Sequence, residues 1–255
     1  MKITFLGTGT SQGVPIIGCH CEACLSEDKK DKRLRCAIMV TLDDGKNIVI
    51  DTGPDFRQQM LRENVQDIEA ILITHEHNDH IIGIDDVRPI NFKHEKDMPV
   101  YALPRVIENL EERFAYVFSS NPYPGIPRIN LWPMDKSEPF DIAGQHIIPI
   151  EVMHYKLPVI GFRFNDFTYL TDIKTISDEE LEKVKGTKIL VLGALQRKQH
   201  ISHLTIDEAI SLSQRIQPEM TYFTHMSHRL GKHEEVIKTL PKNITLAYDG
   251  LQLEI

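Results

Sequence analysis

The stretch Ile71-Leu72-Ile73-Thr74-His75-Glu76-His77-Asn78-Asp79-His80 constrains this chain more than any other. An apolar run of strand length delivers three imidazoles and a carboxylate within six residues of its end, a density that an ordinary solvated loop does not need. Imidazole and carboxylate together suit zinc, manganese or iron. The spacing divides into two sets, His75 with His77 and Asp79 with His80, so two ions can be served. Glu76 and Asn78 are expected to point away from both.

The remaining sequence supplies the frame for such a site. The 255 residues suffice for one sizeable core, and a single domain over 1–255 is the expectation. Hydrophobic residues at 41% against 26% charged place the chain among ordered globular proteins and away from disordered ones. The longest apolar runs, such as Ala70 to Ile73 and Ile189 to Leu192, are too short to cross a bilayer. Met1 to Gly7 enters a strand pattern without the apolar region and cleavage site of a signal peptide, so the expected location is cytoplasmic. With a net charge of −8 and basic residues scattered apart from a modest cluster at Lys29 to Arg35, a polynucleotide partner is disfavoured and a small molecule preferred. A homodimer is compatible with the sequence.

Lys2 to Gly7, Ala37 to Thr41, Asn47 to Asp51 and Glu69 to Thr74 read as strands, with Asp43-Asp44-Gly45 as a hairpin turn. Asp55 to Glu63 reads as a helix with Asp55 as its N-cap, and Leu103 to Phe118 contains another. The Pro-rich passage from Asn121 to Pro133 is not expected to stay regular for long. The second half repeats the rhythm: strands near Gln145 to Val152, Ile160 to Asn165 and Thr168 to Thr171, a helix at Ser177 to Val184, and a strand at Lys188 to Leu192. A helix at Leu204 to Ile216, a strand at Met220 to Thr224, a helix at Lys232 to Leu240 and a closing hairpin at Ile244 to Leu253 follow, with Asp249-Gly250 at the hairpin turn. Strands with helices interspersed in both halves imply two sheets face to face with helices outside, a pattern compatible with an internal structural duplication.

Thr74 to His80 matches Thr-His-x-His-x-Asp-His, and here the chain resembles the metallo-β-lactamase superfamily. The resemblance implies an α/β fold, the αββα four-layer sandwich of two mixed sheets with helices outside, and an active site with two divalent metals. His154 resembles the third histidine of the first metal, Asp172 the bridging carboxylate and His225 the last ligand of the second metal; each ends an apolar strand. Asp51 resembles the strand-end aspartate that supports the metal loop from behind. In the redox branch of that superfamily the position of His77 tends to be glutamate, beside a di-iron centre with an attached flavin domain, so a hydrolase is implied.

Near the N-terminus, within a loop at about 15–36, Cys19, Cys21 and Cys24 crowd together. Three thiolates can occupy three corners of a zinc tetrahedron and leave one for a histidine. The arrangement resembles the PhnP family, the phosphoribosyl 1,2-cyclic phosphate phosphodiesterases of phosphonate breakdown, which carry a structural zinc on three cysteines and a histidine just after the last active-site ligand. Here that histidine is His228. Cys36 reads as a core thiol.

The pair His200 and His203 resembles the region where phosphodiesterases of this fold place a histidine that contacts phosphate or protonates the leaving oxygen, His203 being the closer match. The resemblance thus implies hydrolysis of a small cyclic phosphodiester by a metal-bridging hydroxide, with Mn2+ or Zn2+ at the active site, one structural Zn2+, Asp79 orienting the nucleophile, and His203 or His200 assisting the leaving group. A tRNA 3′-processing endonuclease would share these residues but commonly needs a long basic arm. A thioesterase or lactamase of the same fold would need neither the histidine pair nor the thiolate site. The alternatives from another class are a non-catalytic metal-stabilised binding protein and a relative of the cofactor-biosynthesis proteins of this fold that also carry clustered cysteines.

Overall fold

The computed structural model describes residues 1–120 and 123–255. Among them, fourteen strands run in chain order: β1 (Lys2–Gly7), β2 (Ala37–Thr41), β3 (Asn47–Ile50), β4 (Ala70–Leu72), β5 (Met98–Ala102), β6 (Ile129–Pro133), β7 (Phe140–Ile142), β8 (Gln145–His154), β9 (Leu157–Phe164), β10 (Phe167–Leu170), β11 (Ile189–Gly193), β12 (Met220–Thr224), β13 (Ile244–Leu246) and β14 (Gln252–Glu254). They form two seven-stranded sheets, ordered β14-β1-β2-β3-β4-β5-β6 and β7-β8-β9-β10-β11-β12-β13. Each sheet carries three antiparallel pairings followed by three parallel ones, with the change at β3 in the first and at β10 in the second. The expected structural duplication is therefore present in the pairing pattern.

Strands buried on both faces explain the continuous apolar runs, because a sheet covered on both sides has no polar face to alternate with. One apolar cluster draws on both sheets, among them Phe5, Ile38, Ile50, Phe162, Tyr169 and Val191. The ring of Phe5 lies 5.9 Å from that of Tyr222. Buried Cys36 spans the sheets as a core thiol, with its Sγ 3.2 Å from the Tyr169 hydroxyl and 3.3 Å from Thr224 Oγ1. A second cluster joins the outer face of the second sheet to the helix Ile206–Ile216 through Ile206, Ala209 and Leu212. That helix opens on a capping box, Thr205 accepting from the Glu208 backbone while Glu208 accepts from Thr205. These layers are the expected α/β sandwich. No helix among the described residues is long and apolar enough to cross a membrane.

Three expectations change. The closing hairpin does not form: β13 runs parallel to β12 in the second sheet, and β14 runs antiparallel to β1 in the first. The intervening Asp249 instead accepts from the Thr8 hydroxyl at 2.7 Å and the Leu34 backbone N–H at 2.8 Å, so its turn chemistry serves a crossing between sheets. Asp55 does not cap the helix Phe56–Arg62; its carboxylate accepts from the Arg35 backbone N–H at 2.7 Å. The Pro-rich passage, whose residues 121–122 lie outside the described residues, ends in β6. There Pro133 is tolerated because β6 is an edge strand with no partner beyond it.

Candidate metal centre

The site residues leave the carboxyl ends of strands. Asp51 follows β3, His75 and His77 follow β4, His154 ends β8, Asp172 follows β10 and His225 follows β12. Asp79 and His80 sit on the short helix Asn78–Ile81, which follows His77 at once. Asp51, Asp172 and His225 adopt left-handed backbone conformations, with φ of 68°, 52° and 55°. A β-carbon disfavours that region, most tolerably for aspartate, so three such residues at one site mark backbone bent to aim side chains. The strand exit and the helix are stitched together, with Thr52 N–H donating to the His80 carbonyl at 2.7 Å and Gly83 N–H to the Thr52 carbonyl at 2.8 Å.

Donor atoms converge here in three groups, each within 4.8 Å: His75, His77 and Asp172; Asp79, His80 and His225; His154, Asp172 and His203. All seven expected ligands are brought together, and the two sets within the motif stay separate as expected. His154 groups with His203 as well as lying near the first set, its ring 5.3 Å from that of His77. Asp172 Oδ2 lies 3.7 Å from His75 Nε2 while its Oδ1 lies 3.3 and 3.1 Å from His80 and His225 Nε2, so the carboxylate faces both sets, the position a bridging carboxylate requires. His75 Nε2 and His77 Nδ1 lie 2.9 Å apart, within the roughly 2.9–3.3 Å that two imidazoles on one ion impose at ordinary angles.

The polar atoms fit a metal better than they fit each other. His80 Nε2 and His225 Nε2 are buried without a properly directed hydrogen bond, although Asp172 Oδ1 lies only 3.3 and 3.1 Å away. Buried polar atoms are normally satisfied, so lone pairs aimed at a common point are the signature of a cation site. The outer nitrogens are fixed by protein groups. His80 Nδ1 lies 2.7 Å from Asp51 Oδ2, His75 Nδ1 3.0 Å from the Thr74 hydroxyl, and His154 Nδ1 2.9 Å from the Ser202 carbonyl. Asp51 also accepts from the Thr74 N–H at 2.9 Å, so one buried carboxylate orients both halves of the motif. Glu76 and Asn78 turn outward onto Arg105 and Arg113.

Charge follows the geometry. Burial works to raise the Asp172 and Asp79 carboxyls, yet the His225 and His80 imidazoles hold both well below the ordinary range. Burial and His80 keep His75 neutral, the form that binds metal. Burial and His225 pull His203 down to about 3, and its ring lies 4.4 Å from His154 and 4.9 Å from His225. His200 is one step further out, 5.2 Å from His203 ring to ring, with Nδ1 3.2 Å from Ser202 Oγ.

The second expected centre is also assembled. Cys19, Cys21 and Cys24 Sγ lie 3.3, 3.2 and 3.7 Å from His228 Nδ1, against about 3.5 Å expected for sulfur and nitrogen sharing a tetrahedral zinc. Burial opposes ionisation of Cys21, but the Cys24 backbone N–H and His228 bring its thiol down to about 6, whereas burial pushes Cys24 up to about 11. One side chain that the sequence did not single out, Arg33, braces the loop that carries both His225 and His228. Arg33, fully buried beside Asp31 at 3.1 Å, also lies 3.4 Å from the Ser227 carbonyl, while the Thr8 carbonyl accepts from Met226 N–H at 2.8 Å. Arg33 falls in the basic cluster, and only its burial distinguishes it from its neighbours.

Comparison with known proteins agrees with this geometry. The model of the beta-lactamase superfamily domain matches residues 46–226. A solved structure described as a new diphosphatase from the PhnP family is 42% identical, covers 100% of this chain and 97% of its own, and superposes with a TM-score of 0.93. An octanoyltransferase of Porphyromonas gingivalis is 42% identical over 253 residues, 99% of this chain but 51% of that protein. The chain thus spans about half the length of that curated relative. Zn(2+)-bound PqqB from Methylobacterium extorquens shares the fold at a TM-score of 0.83 and 17% identity, covering 100% of both chains. With the family model spanning residues 46–226, most of the chain, the chain belongs to the metallo-β-lactamase superfamily and resembles the PhnP family.

Proposed function

We propose that the protein is a phosphodiesterase that uses two divalent metals to hydrolyse a small cyclic phosphodiester of the phosphoribosyl 1,2-cyclic phosphate type. The observation that carries this reading is the position of His203, whose imidazole stands over the gap between His154 and His225 and shares a donor group with Asp172. His75, His77 and His154 would hold one ion, Asp79, His80 and His225 the other, and Asp172 both. Bound there, Mn2+ or Zn2+ supplies Lewis acidity and a water of lowered pKa. Asp79 keeps its carboxylate ionised and would orient the nucleophile as a hydrogen-bond acceptor. His203, neutral at physiological pH, places an N–H toward the substrate oxygens and orients the departing sugar oxygen; His200 lies further out, facing the adjoining cavity. Cys19, Cys21, Cys24 and His228 would hold a structural zinc whose role is to fix the loop after His225. The 42% identity to a diphosphatase supports phosphorus over carbon as the attacked centre. Octanoyltransfer is the name of a protein of which this chain spans 51%, and the cavity beside His203 is lined mostly by polar side chains, with Leu195 its one aliphatic residue, which favours a polar substrate over an acyl chain.

The test is a substrate series with metal-loaded protein: bis(p-nitrophenyl) phosphate, a 2′,3′-cyclic nucleotide, a thioester and a β-lactam. Hydrolysis of the phosphodiesters is expected. Turnover confined to the thioester or β-lactam would overturn the reading.

A further inference from the structure

Glu76 and Asn78 are the spacers between the candidate ligands His75, His77 and Asp79, and both are gripped from one helix, Pro104–Arg113, which follows β5. Arg105, in its first turn, donates from Nη1 to both Glu76 carboxylate oxygens, and Arg113, in its last, donates from Nη1 to Asn78 Oδ1. The Asn78 contact is exposed and stays within the first half of the chain. The Glu76 contact is better sheltered, with its side chains 30% and 20% exposed, and it reaches across the fold. Arg105 Nη2 donates to the carbonyl of Pro158 on β9, in the second sheet. Pro158 stands opposite Met153, the neighbour of His154. One guanidinium thus joins the loop bearing His75 and His77 to the hairpin bearing His154, the three imidazoles that would share the first ion. The sheets also meet here along the backbone, where Ile160 N–H donates to the Thr74 carbonyl at 3.1 Å, and the Arg105 fork extends that join to the residue between the two histidines. A planar fork holds two partners in a fixed relation, which a flexible ammonium does not. Metal ligands need placement to within about 0.5 Å, whereas a partly exposed ion pair adds little to stability, so the fork matters most for placement.

We propose that Arg105 is a positioning residue for the first ion: by holding Glu76 and Pro158 in one fork, it sets the separation of His77 and His154, whose rings lie 5.3 Å apart. The proposal rests on the two-ion part of the function above and is independent of the substrate. The sign of its effect separates placement from charge. Arg105 is a cation near a cation site, so Coulomb interaction alone would make its removal tighten divalent binding. Loss of placement weakens it.

Mn2+ affinity, measured by competition with a chelating dye, tests the proposal without turnover. Two backgrounds separate the ions: His225→Ala keeps the first set of histidines complete, and His77→Ala keeps the second. Arg105→Gln is expected to weaken Mn2+ binding about 10- to 100-fold in the first background and less than about 3-fold in the second, as for loss of other partners behind metal ligands. Arg105→Lys, which keeps the charge and loses the fork, should recover only part of the affinity. Arg215→Gln, which removes an exposed arginine paired with Asp178, should bind as its background does. A thiolate-zinc content equal to the parent's shows that the fold has survived; where Arg105→Gln loses that zinc, the same selective weakening is read in Arg105→Lys. Equal weakening in both backgrounds, unchanged affinity or tighter binding would overturn the proposal. Hydrolysis of bis(p-nitrophenyl) phosphate by the parent, with unchanged Mn2+ affinity in Arg105→Gln, sinks the positioning role and leaves the phosphodiesterase reading standing. Selective weakening with no phosphodiester turnover by the parent does the reverse.

Discussion

Asp51 and Asp172 flank the two nitrogens of one imidazole: Asp51 Oδ2 lies 2.7 Å from His80 Nδ1, and Asp172 Oδ1 lies 3.3 Å from His80 Nε2. They occupy matching places in the two halves. Each follows the strand at which its sheet changes from antiparallel to parallel pairing, and each is left-handed. In the proposed centre the first would support a ligand and the second would be one, so matching positions in the two halves deliver both. Open sheets collect their sites where the strand pattern changes, because the connections diverge there and leave a crevice.

Asp51 is fully buried and acts through His80 and Thr74. Asp51→Asn keeps the volume but turns an amide toward one of those donors. Metal affinity is expected to fall about 10- to 100-fold, as for loss of other partners behind metal ligands, measured by competition with a chelating dye. Affinity within a factor of two of the parent would show that His80 needs no such partner.

Gly53 is where the first strand exit meets the metal helix, and a β-carbon there collides with the Asp79 carbonyl oxygen. Gly53→Ala should cost about 1–3 kcal/mol of stability as an overpacked site. A lower urea midpoint accompanied by weaker metal binding is the expected pair of results; an unchanged midpoint would mean that the helix Asn78–Ile81 shifts freely.

The thiolate centre is separate from the active site in its ligands but joined to it through Arg33 and the Ser227 carbonyl. Cys21→Ser is expected to lose about one zinc per chain on elemental analysis while the other metals remain. Loss of all metals together would show that the loop after β12 cannot hold His225 without the thiolates.

Asp249 gives a pH dependence of known sign. Burial raises its carboxyl to about 6 despite the hydrogen bonds from Leu34 and Thr8. The folded state therefore favours the protonated form, and the contribution to stability, complete below about 3.8, is lost as pH rises through about 6. Asp249→Asn removes that loss. Its stability relative to the parent should increase from pH 4 to pH 7 in urea unfolding, and a difference independent of pH would refute the assignment.

The convergence of Thr74 to His80, His154, Asp172 and His225 as candidate ligands was legible because strand register and chemistry coincide there: each closes a run that must be buried. The halves were legible as a rhythm, but β5 and β6 were not, since Pro99 and Pro133 dilute their strand pattern and edge placement is a long-range property. Ile244 to Leu253 misled for the same reason. Two strand-like runs around an Asp-Gly read as a hairpin, while the sheets into which they dock are decided by β1 and β12 far away in sequence. The Ser202 carbonyl and the buried Arg33 left no local signal, because main-chain partners and burial belong to the fold.

The central claim is that two active-site metals on this histidine and aspartate cluster hydrolyse a phosphodiester. It is tested most directly by measuring kcat/KM for bis(p-nitrophenyl) phosphate as metal ions are restored stepwise to chelator-treated protein, with bound ions counted per chain. Activity is expected to rise only after the structural ion is in place and to saturate with two further ions. Activity that is indifferent to metal, or complete with one active-site ion, would contradict the account.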